Sequence, residues 1–158
     1  MKKKKADLNR TGISAMQQQR KEFHMSFVDF RILSINFNIN DKISVEKKPV
    51  PIVAIIGTKH NYEKENKELQ VFLKVEIKDD KMPFAIFIEG KGIFKFKKTP
   101  SEAVLKKVSK INCPAIIFPY VRETIADITR RAGFPPLHLN PVNFVAFAKQ
   151  SASKRKNI

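Results

Sequence analysis

The sequence predicts one α+β domain in which four β-strands come first and helices follow. Between residues 27 and 96, apolar side chains recur at every second position, which is the spacing of half-buried strands. Helical spacing begins only after Thr99. Consecutive strands followed by helices favour an α+β fold, whereas a wound parallel sheet would alternate the two. A chain of 158 residues is long enough to bury one hydrophobic core.

The first strand is predicted over residues 27–40, FVDFRILSINFNIN. Its apolar side chains change parity at Ile32 and Leu33, which predicts a β-bulge there. Gly90 and Gly92 are expected to mark a bend in the fourth strand. The remaining strands are predicted at 52–58, 69–77 and 83–96. The connection NDKISVEKKPVP between the first two strands is long and keeps several apolar residues among its prolines.

Three helices are predicted after the strands. A short one follows Thr99-Pro100-Ser101-Glu102, a combination typical of a helix start. The second follows Pro114 and ends at Gly133, with arginines in its last turn and apolar residues at helical spacing: Ile117, Val121, Ile125, Ile128 and Ala132. The third is expected to begin near Pro141 and to carry Phe144, Val145, Phe147 and Ala148 on its apolar side.

The charge is concentrated at the two ends of the chain. The formal net charge is +16, and residues 1–22 hold seven Lys or Arg against two acids. Residues 149–158 hold four against none, which leaves 20 basic and 13 acidic residues between them. We therefore expect a disordered basic tail over 1–22, a folded domain over 23–150 and a basic tail over 151–158. A basic nucleic-acid-binding protein remains an alternative of another class, although no nucleic-acid-binding motif accompanies the lysines.

The candidates for catalysis and metal binding are few. Cys113 is the only cysteine, and His24, His60 and His138 lie far apart in the sequence. No phosphate-binding loop, dinucleotide fingerprint or nucleophile-elbow motif occurs. We therefore expect no enzyme activity, no cofactor and no metal. No segment has the length of a membrane span, so the expected protein is soluble, unexported and cytoplasmic, without membrane insertion.

One long segment near the C-terminus carries a family resemblance. It runs from residue 113 to 144, CPAIIFPYVRETIADITRRAGFPPLHLNPVNF, and contains Pro114, a Phe-Pro-Tyr triplet, an Arg-Glu pair, RAGFP and LNPVNF. This segment resembles the hallmark region of the SecB protein-export chaperones. The upstream stretch GKGIFKF is similar to the glycine-rich turn of that family. The resemblance extends over residues 26–148 and is strongest in the last third.

The resemblance implies a four-stranded antiparallel sheet with helices packed on one face, assembled as a homotetramer that is a dimer of dimers. It implies an ATP-independent holdase that binds unfolded or precursor polypeptides in apolar grooves for export. In the family the loop between the first two strands and the last helix flank the groove. By position, the implied client-binding residues are Ile43, Val45, Val50, Ile52, Phe144 and Phe147.

The chain departs from the family in its charge. Export chaperones of this family are typically acidic and use acidic residues on the sheet face to dock to the motor ATPase SecA. The equivalent positions here are Asn36, Asn40 and Phe87, none of them acidic, which puts that docking in doubt. SecB-like chaperones also serve toxin–antitoxin systems by holding an antitoxin. This second role remains an alternative for a divergent, basic member.

Overall fold

The structure, a computed structural model, describes residues 24–43 and 51–156. It contains four strands, β1 (Met25–Ile39), β2 (Ile55–Glu63), β3 (Glu68–Ile77) and β4 (Phe84–Phe96). They form one sheet in the order β1-β4-β3-β2, and all three pairs of neighbouring strands are antiparallel. The predicted α+β fold with a four-stranded antiparallel sheet is therefore confirmed.

The helices follow as predicted, with one irregular turn. Helix α1 spans Glu102–Lys107 and continues through a π-helical turn, Val108–Asn112, into α2, Cys113–Arg131. Helix α3 spans Phe144–Lys156, beyond the boundary at residue 150 that the sequence analysis placed before a C-terminal tail. The other predicted tail, 1–22, lies outside the described residues.

The helix ends have the expected chemistry. The hydroxyl of Ser101 accepts a hydrogen bond from the backbone N–H of Val104 at 3.4 Å, which caps α1. Helix α2 ends at Arg131, and the chain leaves it through Gly133, whose φ of 88° lies in the left-handed region that glycine adopts without strain. The predicted end of the long helix is therefore confirmed, whereas its start differs, because the π-helical turn carries α1 directly into α2 at Cys113, before Pro114.

The core lies between one face of the sheet and α2. Strands β3 and β4 alternate buried and half-buried residues along their length, as strands do when one face is covered. From α2, Ile117, Val121 and Ile125 are fully buried against this face. The buried side chains of the two strands are Leu69, Val71, Leu73, Val75, Ile77, Phe84, Ile86, Ile88, Phe94 and Phe96.

Gly90 and Gly92 allow the close contact between the sheet and its cover. Strand β4 continues through both of them. A Cβ atom built on Gly92 would lie 2.5 Å from Cγ2 of Ile117, and one on Gly90 would lie 2.7 Å from the ring of Phe30. These distances are far below van der Waals contact, so any larger residue would push α2 or β1 away.

Strand β1 contains the predicted bulge and a second one. Its register against β4 shifts between Ile32 and Ser34, which confirms the bulge expected from the parity change at Leu33. A further shift between Phe27 and Asp29 was not predicted. The apolar side chains at the two bulged positions, Val28 and Leu33, are exposed.

The predicted position of the second strand was wrong at both ends. We expected it over 52–58, but β2 begins at Ile55 and continues to Glu63. The prediction followed the apolar run, which is in fact exposed, since Val53 retains 72% of its accessible surface. The polar segment after it completes the strand, and only a short turn at Lys67, with φ of 51°, separates β2 from β3.

Candidate functional site

The connection between β1 and β2 begins with a tight turn. The backbone N–H of Asn40 donates to the carbonyl oxygen of Pro83 at 2.7 Å, and the N–H of Ile43 donates to the carbonyl oxygen of Asn40 at 3.2 Å. Ile43 is half-buried in this turn. Two of the predicted client-binding residues, Val45 and Val50, fall outside the described residues.

An exposed apolar strip leads from the connection into β2. We define the β2 strip as Ile52, Val53 and Ile55, whose exposed fractions are 39%, 72% and 62%. Ala54 and Ile56 pack against the core. The strip therefore presents three aliphatic side chains to solvent on a backbone that the neighbouring residues hold in place. Adjacent exposed apolar residues of this kind mark surfaces that bind another chain.

Helix α3 begins with a side-chain cap. The Oδ1 atom of Asn143 accepts hydrogen bonds from the N–H groups of Val145 and Ala146, both at 3.1 Å. Phe144 is only 4% exposed and packs edge-to-face on Phe118, with ring centroids 5.8 Å apart. This residue therefore anchors the helix to α2.

Phe147 contacts Phe144 and also lines an open cavity. Its ring lies 6.0 Å from that of Phe144, and it also lines a cavity of about 500 Å³ between β2 and α3. Five consecutive β2 residues, 56–60, form one wall of the cavity, and Phe147, Ala148 and Ser151 form the other. Lys110 of the π-helical turn completes it. The structure thus brings the start of β2 and the last helix to one site, with Phe147 at its wall.

The proline-rich loop before α3 is fixed by a residue that the sequence analysis overlooked. Thr129 is fully buried, and its hydroxyl donates to backbone carbonyl oxygens of its own helix, that of Ile125 at 2.9 Å and that of Ala126 at 3.0 Å. Its Oγ1 also accepts the N–H of Leu137 at 2.9 Å. Of these three side-chain bonds, the last joins the loop to α2, and it links residues eight positions apart.

The opposite face of the sheet carries two of the three predicted docking residues. Asn36 and Phe87 are cross-strand partners, and the β3 residue opposite Phe87 is Glu76. Lys74 lies over the ring of Phe87, with its Nζ 5.9 Å from the centroid, and contacts a carboxylate oxygen of Glu89 at 3.5 Å. Two carboxylates therefore flank Phe87, and one of them is paired with a lysine. The sequence analysis missed both acids because it considered only the positions equivalent to the acidic residues of the family.

Asn40 occupies a different position. It follows the end of β1, and its Oδ1 accepts the N–H of Lys42 at 3.2 Å in the turn described above. Asn36 instead accepts a hydrogen bond from the amide of Asn38, two residues along the strand. The three predicted docking residues are thus divided between the sheet face and its end.

The ionisable groups with shifted pKa values lie outside this site. Burial raises the pKa of the Cys113 thiol to about 12, and the thiol contacts the sulfur of Met25 at 3.7 Å. The hydrogen bond from Arg31 lowers the pKa of Asp29, and those from Arg131 and Arg130 lower the pKa of Asp127. A thiol with so high a pKa is a poor nucleophile, and both carboxylates are held in surface ion pairs.

The described part of the chain offers neither a candidate metal site nor a membrane-spanning helix. Within residues 24–43 and 51–156, no group of three His, Cys, Asp or Glu side chains is placed to hold a metal ion. In the same part of the chain, no helix is both long enough and apolar enough to cross a membrane.

Comparisons of sequence identify relatives over most of the chain. The family model described as the preprotein translocase subunit SecB matches residues 16–155. A protein-export protein SecB of Methylobacillus flagellatus is 34% identical over 147 residues, which cover 90% of this chain and 92% of the relative. The corresponding protein of Nitrosomonas europaea is 35% identical over 137 residues, 84% of each chain.

A comparison of structures agrees with these matches at the level of the fold. The SecB-like chaperone of Mycobacterium tuberculosis, solved in complex with a ChAD peptide from an antitoxin, superposes with a TM-score of 0.66 at 17% identity. The match covers 86% of this chain and 99% of that one. Because the family model and the relatives span the strands as well as the C-terminal segment, the chain belongs to the SecB family of protein-export chaperones.

Proposed function

We propose that this SecB-family chain is an ATP-independent holdase that keeps precursor polypeptides unfolded for export. The observation that carries the proposal is the β2 strip, where three aliphatic side chains are exposed immediately before the β2 residues that line a cavity with Phe147. Apolar contact has no directional requirement, so such a surface accepts many client sequences. We further propose that the protein works in the cytoplasm, where precursors are made, and that it catalyses no reaction.

The proposed client-binding residues differ in their roles. Ile52 and Phe147 offer accessible apolar surface, and Ile43 lies half-buried at the start of the connection. Phe144 is buried, so we infer that it supports Phe147. Val45 and Val50, which lie outside the described residues, remain proposed members of the site on the strength of the family resemblance.

Aggregation of a refolding client tests the proposal. A near-stoichiometric amount of the protein should suppress light scattering of the client without nucleotide, and added ATP should change nothing. The double variant Val53→Ser/Ile55→Ser should suppress aggregation less, because it removes two exposed aliphatic side chains from the β2 strip. Val28→Ser is the matched control, since Val28 is also exposed at 52% but lies on the opposite edge strand. Unchanged scattering with an excess of the wild-type protein would rule out a holdase.

An antitoxin is the second candidate client. The M. tuberculosis chaperone was solved with an antitoxin peptide, and its fold is that of this chain. The relatives in Methylobacillus flagellatus and Nitrosomonas europaea are protein-export proteins, which favours export. Translocation of a precursor into membrane vesicles by SecA, with and without this protein, separates the two roles. Stimulation supports export, whereas no stimulation combined with tight binding of an antitoxin peptide supports the alternative.

We propose that docking to SecA through an acidic sheet face is weak in this protein. The outer face offers Glu76 and Glu89 around Phe87, but Lys74 pairs with Glu89, and Asn36 contributes no charge. Exposed ion pairs and rim charges mainly set encounter rate and salt sensitivity. Tight, salt-sensitive SecA binding that is lost in Glu76→Gln would contradict this proposal.

Assembly into a dimer of dimers is proposed from the side of α2 that borders β1. This side leaves Ile116 and Tyr120 exposed at 38% and 42%. The ring of Tyr120 lies 5.8 Å from Phe27 and 5.1 Å from Phe30, so an aromatic surface extends from the helix onto β1. A second copy would cover this surface. The mass in solution should be near four chains, and Tyr120→Lys should lower it.

A further inference from the structure

The cavity beside the β2 strip differs from an ordinary apolar groove in its charge. Ile56, Phe147 and Ala148 give it an apolar lining, and two further lining residues, Lys59 and Lys110, are basic. Among the residues that the structure describes, no carboxylate lines the cavity. An unfolded segment that enters it therefore meets aliphatic and aromatic surface together with two lysines and no carboxylate.

Both lysines are available to a ligand. Lys59 is exposed and Lys110 half-buried, and neither forms an ion pair with any residue in the ranges 24–43 and 51–156. Lys59 lies on the outer parity of β2, that of Ile55, whereas Lys110 lies on the helix side, so the two lysines border the edge of the sheet from opposite faces. A carboxylate of a chain bound along this edge would gain from whichever lysine it meets, and apolar walls strengthen such an interaction by excluding water.

The shape of the cavity suits an extended chain. Its β2 wall consists of five consecutive residues, which span roughly 16 Å in a strand. Residues that point to both faces of β2 contribute to this wall, so the cavity lies along the edge of the sheet. A volume of about 500 Å³ accommodates several side chains of a client, enough for an apolar residue and an acidic neighbour to be bound together.

We propose that this cavity selects client segments in which carboxylates lie next to apolar side chains, with Lys59 and Lys110 as the residues that determine the preference. The inference rests on the proposed holdase function and adds the chemical class of client. Charge complementarity within an apolar site gives specificity, since a basic flank would be repelled by the same two lysines. The preference for acidic flanks is a property of this chain, because it follows from the side chains at this cavity and from the basic character of the cavity.

Three peptides that share one Phe/Leu core test the proposal, with flanking pairs of Glu, Gln or Lys. Fluorescence anisotropy at about 50 mM salt should show the Glu peptide binding about tenfold more tightly than the Lys peptide, with the Gln peptide between them. The double variant Lys59→Gln/Lys110→Gln should reduce this ratio to about twofold or less. The control Lys91→Gln/Lys95→Gln removes the same charge from β4 and should keep the tenfold ratio.

The outcomes separate this inference from the proposed function. Equal binding of all three peptides, or an equal loss of preference in the control variant, overturns the inference and leaves the holdase in place. Failure of every peptide to bind removes both. A single-stranded oligonucleotide is then added as a competitor of the Glu peptide. If it displaces the peptide equally well in the Phe147→Ser variant, the inference is overturned in favour of a general polyanion site. If displacement requires Phe147, the inference is supported.

Discussion

The central strands and the edge strands of the sheet use their apolar residues in different ways. In β3 and β4 the buried side chains are almost completely enclosed, and Leu73 and Ile88 retain none of their accessible surface. In β1 and β2 several aliphatic side chains remain exposed, among them Ile35 at 45% and Ile55 at 62%. Stability thus comes from the centre, which α2 covers, and the edges keep apolar surface available for other chains. The following substitutions test this division.

Truncation in the centre should have the largest effect on stability. Leu73→Ala removes a fully buried side chain from β3, and we expect it to lower the free energy of unfolding by about 2–5 kcal/mol. Ile55→Ala, which truncates an exposed side chain on β2, should change it by less than about 0.5 kcal/mol. Urea denaturation followed by circular dichroism measures both. Similar losses in the two variants would show that the edge contributes to the core after all.

Replacing a glycine by alanine should lower the free energy of unfolding in the centre of the sheet but not at its edge. Gly92→Ala places a methyl group 2.5 Å from Cγ2 of the fully buried Ile117, and we expect a loss of about 1–3 kcal/mol. Gly57→Ala on β2 is the control, because its Cβ would meet only Cβ of Lys74 at an ordinary 3.9 Å. The control should be neutral within about 0.5 kcal/mol. Thermal unfolding of the two variants is the measurement, and a neutral Gly92→Ala would contradict the close packing of α2.

Removing the hydroxyl that links α2 to the proline-rich loop should cost less. Thr129→Val leaves the backbone N–H of Leu137 without its acceptor, and we expect a loss of about 1 kcal/mol. Thr124→Val is the matched control, because the Thr124 hydroxyl bonds only the carbonyl oxygen of Tyr120 in its own helix. Amide hydrogen exchange at Leu137 should accelerate in the first variant alone. Unchanged exchange there would show that the loop does not depend on Thr129.

The ionisation of the Cys113 thiol should leave stability unchanged at neutral pH. The reactivity of this thiol measures how readily the covered face of the sheet opens. Because its folded pKa is raised from 9.0 to about 12, folding favours the neutral thiol, and this contribution to stability is complete below pH 9 and is lost as pH rises towards 12. At pH 8 the native protein should react with a thiol reagent about a thousandfold more slowly than the chain in urea. Fast native labelling would show that the covered face opens readily.

The sequence was sufficient for the fold where local pattern and burial agree. Strict alternation in β3 and the parity change at Leu33 in β1 both predicted what the structure shows. The second strand was predicted too early in the sequence for two reasons. Its core-facing positions include the polar residues Thr58 and His60, which lie opposite Leu73 and Val71. The apolar run before it, which the prediction followed, is exposed. A strand is predicted from the spacing of apolar residues on the assumption that these residues are buried. At a binding surface apolar residues are exposed, so the prediction fails there.

The candidate site could be predicted only in part. The resemblance to the family selected Ile52 and Phe147, and the structure shows Ile52 exposed shortly before β2 and Phe147 on α3 at the wall of the cavity. It could not indicate Lys59 and Lys110, since they are 51 residues apart and only the packing of α3 over the π-helical turn brings them to one cavity. Thr129 was missed for a similar reason, because its partner is a backbone amide that sequence pattern does not reveal.

The two bulges of β1 affect how the protein itself behaves at high concentration. β1 lies at the edge of the sheet and is 15 residues long, and a regular strand of that length could serve as a template for fibre growth. The register shifts at Val28 and Leu33 break the run of backbone groups into short lengths that a straight strand cannot follow. A protein whose task is to hold sticky, unfolded chains is thereby protected from becoming the seed of their aggregation.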